Sequence, residues 1–418
     1  MQKKISNRVI LIHVDFSNYK ISSEDISEFR ELAEATDAEI VSLITFKSDA
    51  PKAKYFIGAG KAEEIRILVE VEGVNLVFFD HILTPSQERN LEHLFQCRVL
   101  DRTGLILDIF AQRARSFEGR LQVELAQLQY LSTRLVRGWS HLERQRGGIG
   151  LRGPGETQLE VDRRLINNRI KAIKKRLQKV RSGRQQARRA RQRSEIPIAS
   201  LVGYTNVGKS TLFNKLTAAD VHIADQLFAT LDPILRRIEL PEVGCIILVD
   251  TVGFIRHLPH DLIEAFQATL EETISADLLL HVVDASDPMR HEKIAAVNNV
   301  LQQINAQKIP QLLIYNKIDL TKDNISRINY DINNNPKSIR ISAITGKGLD
   351  LLLQALKNLL FEEVKEYKFS LKPSEGKLRA NLYRLGTIIS EKIGKNGSLK
   401  LVVRLKKRDF EGLLANFR

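Results

Sequence analysis

The sequence predicts an α/β protein organised around parallel sheets, and three observations carry that reading. Short apolar runs alternate with helical stretches over residues 1–110 and again over residues 196–365. Alternation of this kind buries a parallel sheet between helices. Between these regions, residues 111–195 carry long amphipathic helical patterns broken once by a glycine-rich stretch, which predicts a long antiparallel helical hairpin. Residues 366–418 close the chain as a small α+β piece, with Lys368–Leu371 and Leu399–Leu405 as strands flanking a helix over Lys377–Lys392.

Composition bounds the rest. A chain of 418 residues, 43% hydrophobic and 27% charged, is long enough for about three domains with real cores. Two cysteines, Cys97 and Cys245, exclude a disulfide framework or a cysteine zinc site and read as buried, reduced thiols. The first residues are too polar for a secretion signal, and no apolar run is long enough to span a membrane. A cytoplasmic address and a monomer are expected.

In the N-terminal region, Val9–Val14, Glu39–Thr45, Leu76–Phe79 and Arg98–Leu100 read as strands. Ser23–Ala35, Lys61–Val71 and Pro85–Phe95 read as helices, with Ser22 or Ser23 and Thr84 as N-caps. Gly58-Ala59-Gly60-Lys61 imitates a phosphate loop. It lacks Ser or Thr after the lysine and has Tyr55 where the first glycine belongs, so it reads as a turn opening a helix.

The middle region holds the charge. From Arg113 to Arg193 there are 22 Lys/Arg against 6 Asp/Glu, a net +16, leaving −2 for the rest of a chain whose total is +14. Leu121, Leu125, Leu128, Leu131 and Leu135 form one helical stripe; Leu159, Ile166, Ile170, Ile173, Leu177 and Val180 form another. Between them, Arg146–Glu156 has five glycines and a proline and cannot stay helical. A localised basic hairpin fits a polyanion such as RNA; a solvated charged linker is the plainer alternative. Trp139 fits core packing better than stacking on a base.

In residues 196–365, Ile198–Val202, Cys245–Val249, Leu278–Val283 and Gln311–Tyr315 are continuous apolar strands, as in a sheet covered on both faces. Directly after the first comes Gly203-Tyr204-Thr205-Asn206-Val207-Gly208-Lys209-Ser210, then the helical stretch from Thr211. This is a complete phosphate loop in its required setting: backbone N–H groups and a helix N-terminus for phosphates, Lys209 for the β- and γ-phosphates, Ser210 for Mg²⁺. Asn316-Lys317-Ile318-Asp319, at a strand end, resembles the guanine-specificity motif of translation-factor-type GTPases. A carboxylate at Asp319 can accept both hydrogens from the guanine N1–H and amine, which adenine does not offer, and Asn316 can brace the loop. Ser342-Ala343 resembles the last guanine-contacting element, acting through backbone N–H groups. The substrate is therefore expected to be GTP and the product GDP, in a parallel-sheet P-loop GTPase domain.

Asp250-Thr251-Val252-Gly253 is expected to hold Mg²⁺ through a water at Asp250 and to meet the γ-phosphate at the Gly253 N–H. Thr230, within Phe228-Ala229-Thr230-Leu231-Asp232, is the candidate for a threonine that binds Mg²⁺ in the GTP state, although spacing leaves Thr205 and Thr217 open. Lys209, Thr230 and Gly253 are the candidate catalytic groups. Phe254 stands where many GTPases place a water-orienting glutamine, so slow turnover completed by a partner or another group is expected. Asn206 either caps its turn or helps hold K⁺ against the phosphates.

Gly58-Ala59-Gly60-Lys61, the stretch Asp101–Phe110, the loop Gly147–Glu156 and the motifs Phe228–Asp232 and Asp250–Phe254 together resemble the HflX family of GTPases over nearly the full length. The resemblance implies binding to the large ribosomal subunit and its rRNA, and separation of stalled or idle ribosomes. An RNA-binding scaffold with a GTP switch of negligible turnover stays open. A GTPase serving tRNA modification is weaker, because no additional catalytic motif is present.

Overall fold

The computed structural model describes residues 7–16, 23–138, 158–193, 196–217, 227–228, 230–241, 244–256, 267–361, 364–372, 375–385, 387–393, 399–406 and 413. The N-terminal sheet contains β1 (Arg8–Phe16), β2 (Glu39–Ser48), β3 (Leu76–Phe79) and β4 (Arg98–Leu100). Its order is β2-β1-β3-β4 and every pairing is parallel. Helices α1 (Ser23–Glu34), α2 (Ala59–Glu72) and α3 (Pro85–Phe95) make the crossovers. Thr84 caps α3 through a reciprocal capping box with Gln87. Ser22, the alternative cap for α1, lies outside the described residues.

The two-residue period of β1 sends its side chains to two cores. Ile10, Ile12 and Val14 meet Ile65 and Leu91 on one face. Val9 and Leu11 meet Phe29 and Leu32 of α1 on the other. That second core continues through α4 (Arg102–Arg113) into the central sheet of the protein, so the two sheets share one apolar interior.

Helices α5 (Phe117–Gly138) and α6 (Gln158–Arg193) form the hairpin arms. The predicted stripes meet at Leu121, Leu125, Ile173 and Leu177, with Leu128 and Ile170 at the margin. Leu131 is exposed, so the seam thins away from the base. The base is anchored by buried Asp101, which accepts hydrogen bonds from Tyr130 Oη and Arg134 Nη2, each at 2.7 Å. Trp139 and the glycine loop lie outside the described residues.

The central sheet contains β5 (Ile198–Gly203), β6 (Ile234–Leu240), β7 (Gly244–Asp250), β8 (Leu278–Asp284), β9 (Gln311–Asn316), β10 (Arg327–Tyr330) and β11 (Pro336–Arg340). Its order is β10-β11-β9-β8-β5-β7-β6. The five inner strands are parallel, and β6 and β10 add antiparallel edges. These edges escape an apolar-run reading because exposed charges such as Arg236 and Arg237 interrupt them. Helices α7 (Lys209–Thr217), α8 (Gln267–Ile274), α9 (Arg290–Gln303) and α10 (Leu349–Leu360) complete this layer.

Two expectations are corrected. The C-terminal helix expected over Lys377–Lys392 is α11 (Gly376–Leu385) followed by strand β13 (Thr387–Ile393). The β-branched run Thr387-Ile388-Ile389 favours extended backbone, and β13 pairs with β14 (Leu399–Lys406), which also pairs with β12 (Val364–Leu371). Cys97 and Cys245 are free but half-buried rather than enclosed. Burial still pushes the Cys97 thiol up to about 11. Among the described residues, no helix is long and apolar enough to cross a membrane.

Candidate nucleotide-binding site

The loop between β5 and α7 requires its glycines. Gly203 has φ +151°, and a Cβ there would fall 2.3 Å from the Val282 carbonyl oxygen. Gly208 has φ +89°, and a Cβ there would fall 2.4 Å from Asn316 Nδ2. Neither position admits a side chain. Lys209 is buried and folds back, donating from Nζ to the carbonyls of Gly203 at 3.2 Å and Tyr204 at 2.6 Å. Burial lowers its pKa to about 8, against the opposing pull of Asp250. A loop whose amides converge at a helix N-terminus, with a poorly solvated ammonium at its centre, is suited to phosphate.

Three oxygens from three elements converge beside it. Ser210 Oγ lies 2.8 Å from Thr230 Oγ1 and 2.7 Å from Asp250 Oδ2, and Thr230 Oγ1 lies 3.1 Å from the same carboxylate oxygen. Asp250 is fully buried, burial raises its pKa, and its Oδ1 has no partner among the described residues. An all-oxygen cluster with an unsatisfied buried carboxylate suits a hard divalent cation and its waters. The fold therefore brings Thr230, not Thr217 or Thr205, to Ser210. The Thr217 hydroxyl instead donates to Phe213 within α7.

The strand-end motif closes the other side. Asn316 Nδ2 donates to the Val207 carbonyl at 2.8 Å, and Asn316 Oδ1 accepts from the Ala343 N–H at 2.9 Å. Lys317 Nζ donates to the Asn206 carbonyl at 2.8 Å and pairs with Asp284 at 2.7 Å. One asparagine thus ties the phosphate loop to two neighbouring loops. Asp319 sits on the 3₁₀ turn Ile318–Leu320, with Oδ1 unpartnered among the described residues. The Ser342 N–H donates to Lys347, so both N–H groups of Ser342-Ala343 are engaged within the protein. A guanine contact from that pair requires one to be released.

Gly253 and Phe254 are stitched to the loop. Thr205 N–H donates to the Phe254 carbonyl at 2.8 Å, and Phe254 N–H donates to Gly203 at 3.1 Å. A Cβ on Gly253 would fall 2.8 Å from Thr205 Cγ2 and 3.1 Å from Lys209 Nζ. Phe254 is buried. Phe228 is also buried, its ring edge-on to Phe110 of α4 with centroids 4.7 Å apart. Asn206 is exposed at φ +58°, and Thr211 lies in the first turn of α7.

Three families match successive parts of the chain: "GTP-binding GTPase N-terminal" over residues 23–111, "GTP-binding GTPase Middle Region" over 113–191, and "50S ribosome-binding GTPase" over 198–317. GTPase HflX of Escherichia coli is 55% identical over 97% of this chain and 95% of its own. GTPase HflX of Caldanaerobacter subterraneus is 48% identical over 90% and 86%. The chain belongs to the HflX family of GTPases. Among solved structures, a GDP complex of a GTP-binding protein from Sulfolobus solfataricus matches at 25% identity, over 84% of this chain and 98% of that one, with a TM-score of 0.46.

This HflX-family chain is thus a GTP-hydrolysing enzyme, and its N-terminal sheet docks beside the loop. Tyr204 Oη donates to Glu28 of α1 and accepts from the Arg256 N–H at 2.8 Å. Buried Arg102 pairs with Glu28 and with Asp80 and donates to the Arg256 carbonyl at 3.2 Å. Arg256 itself pairs with Asp25 at 3.1 Å and Glu292 at 2.6 Å. Asp232 accepts from the Arg115 and Ser116 N–H groups at 3.2 and 2.7 Å and from the Ser116 hydroxyl, at the start of α5. A cleft of about 190 Å³ lies between α1 and Tyr204–Val207. Sequence reasoning missed Glu28, Arg102, Arg256 and Ser116 as partners. Arg102 and Asp232 lie in stretches that carry the family resemblance, but pairings such as Arg102–Glu28 over 74 positions and Arg256–Asp25 over 231 leave no local signal.

Proposed function

We propose that this GTPase binds GTP with Mg²⁺ at residues 203–211, acts in the cytoplasm as a monomer on the large ribosomal subunit, and separates stalled or idle ribosomes. The single observation that carries the nucleotide reading is Asn316 bridging Val207 to Ala343 while Asp319 keeps an open carboxylate oxygen. Asp319 accepts from guanine, and the Lys317 stem covers the base. Gly203, Tyr204, Thr205, Asn206, Val207 and Gly208 surround the phosphates, and Lys209 turns from its carbonyls to the β- and γ-phosphates. Ser210 and Thr230 would hold Mg²⁺, with Asp250 holding it through a water, and the chemistry it would supply is positive charge against the phosphates. Gly253 admits the γ-phosphate because no Cβ intrudes.

The ribosomal reading is supported by the family description matching residues 198–317 and by the net +16 of the hairpin region. The test is sedimentation of intact ribosomes with this protein and a non-hydrolysable GTP analogue. Co-migration with the large subunit and a rise in free subunits is expected; protein left at the top of the gradient ends the proposal. Replacing Arg188, Arg189, Arg191 and Arg193 by Ala should lower ribosome affinity. It should also flatten its salt dependence by about one log–log unit per lost phosphate contact. Buried Phe254 favours a second reading, a scaffold whose GTP site switches with negligible turnover. Turnover with and without ribosomes, in KCl and in NaCl, separates the two and tests whether Asn206 works with K⁺.

A further inference from the structure

The site lacks a side chain to orient the attacking water at the position after Gly253, because Phe254 is an enclosed hydrocarbon. The described hydroxyls nearby are almost all engaged. Ser210 and Thr230 face the Asp250 carboxylate. Thr251 Oγ1 donates to Leu201 at 2.5 Å, and Tyr204 Oη is held between Glu28 and the Arg256 N–H. Thr205 differs. It is 6% exposed, yet its Oγ1 has no hydrogen-bond partner among the described residues. Burying an unmatched hydroxyl is unfavourable, a cost that a ligand-directed role explains.

Its location points to the ligand. Thr205 Cγ2 and Cα lie 2.8 and 3.0 Å from the Cβ position of Gly253, itself 3.1 Å from Lys209 Nζ. The methyl side of Thr205, Gly253 and the lysine ammonium therefore adjoin at the place where the nucleotide reading puts the γ-phosphate, and Oγ1 is carried on the same Cβ as that methyl. The Thr205 backbone cannot drift, because its N–H is pinned to Phe254. A β-branched side chain has restricted χ1, so the hydroxyl is held as well.

We propose that Thr205 Oγ1 positions the nucleophilic water for GTP hydrolysis, taking the role that Phe254 cannot fill. This rests on the nucleotide site proposed above. The hydroxyl accepts one hydrogen of the water and donates its own to a γ-phosphate oxygen. The water oxygen forms the new bond to γ-phosphorus, and the bond from γ-phosphorus to the β–γ bridging oxygen breaks. The electron pair stays on GDP, and the water proton passes to the released phosphate. Thr205 is unchanged at the end of the cycle.

The test compares Thr205→Val, which keeps shape and loses the hydroxyl, with Thr205→Ser, which keeps the hydroxyl. Single-turnover GTP hydrolysis in KCl and affinities for GDP and for GDP–aluminium fluoride are measured on the full chain. Thr205→Val should hydrolyse about 100-fold more slowly, bind GDP–aluminium fluoride correspondingly more weakly, and bind GDP within about twofold of wild type. Thr205→Ser should stay within a few-fold of wild type throughout. Wild-type hydrolysis by Thr205→Val overturns the inference, as does a parallel loss of GDP affinity in both variants, which marks a packing role. Wild-type protein that binds no GTP overturns the nucleotide reading and this inference with it.

Discussion

Two loops in this molecule look alike on paper and differ in what they can hold. Gly58-Ala59-Gly60-Lys61 and Gly203–Ser210 both join a strand region to a helix with glycines and a lysine. At the first, Gly58 has ordinary extended backbone (φ −63°, ψ 148°), and a Cβ at Gly58 or Gly60 would meet nothing within 4 Å. Lys61 pairs with Glu64 at 2.7 Å on the surface, 5.6 Å from the Phe46 ring centroid. At the second, both glycines have positive φ and crowded Cβ positions, Lys209 is buried with no carboxylate in contact among the described residues, and Asn316 braces the loop from another strand. A phosphate cradle is thus defined by backbone conformation, a desolvated cation and an external brace. Glycine and lysine in sequence are not sufficient.

The largest test of this contrast exchanges the lysines. Lys209→Ala should weaken GTP binding about 100-fold, the order of two to three kcal/mol for a charge-assisted contact. Lys61→Ala should leave it within about twofold. Equal losses in a fluorescent-nucleotide titration would erase the distinction. Next, Asp319→Asn should cost about 30-fold in GTP affinity, because the amide presents a donor where guanine needs an acceptor. It should raise relative affinity for xanthine nucleotide; unchanged GTP affinity would remove Asp319 from the site.

A pH titration reads the desolvated cation directly. Burial holds Lys209 at about 8, and a phosphate beside it should raise that value. The raised group favours the complex at low pH and is lost as pH rises through 8, so GTP affinity should fall about eightfold between pH 7.5 and 9 with proton uptake on binding. A flat profile, or a fall that persists in Lys209→Ala, contradicts this. The smallest effect is at the look-alike: Gly60→Ala lies in α2 with open space and should stabilise the protein by about 0.4–1 kcal/mol, seen as a rise in Tm. Destabilisation there would mean that this glycine is constrained after all.

Much of the candidate site was legible because its signals are local. The phosphate loop, Asp250, Asn316 and Asp319 each sit at the end of an apolar run, and strand ends on one edge of a parallel sheet come together automatically. Thr230 was legible only as one of three threonines. Its meeting with Ser210 depends on the path of the chain from α7 to β6, which no spacing rule supplies. Residues 387–393 were misread as helix because the pairing that makes them a strand comes from Leu399–Lys406, further along the chain.

By itself, the sequence determined the four strands of the N-terminal sheet and the apolar inner strands β5, β7, β8 and β9 of the central one, that the middle of the chain is basic and helical, and which loop carries the glycine pattern of a phosphate loop. Those properties follow from periodicity, charge and the steric freedom of glycine, all short-range. Only the tertiary structure decided that the N-terminal sheet rests on the nucleotide site. It does so through Glu28, Arg102 and Arg256, and through Asp232 at the foot of α5. Two of those contacts are ion pairs, Arg102–Glu28 and Arg256–Asp25, and the other two join a charged side chain to backbone or hydroxyl groups beside a shared apolar interior. A single charged residue looks the same in sequence whether it meets water or a partner 100 positions away.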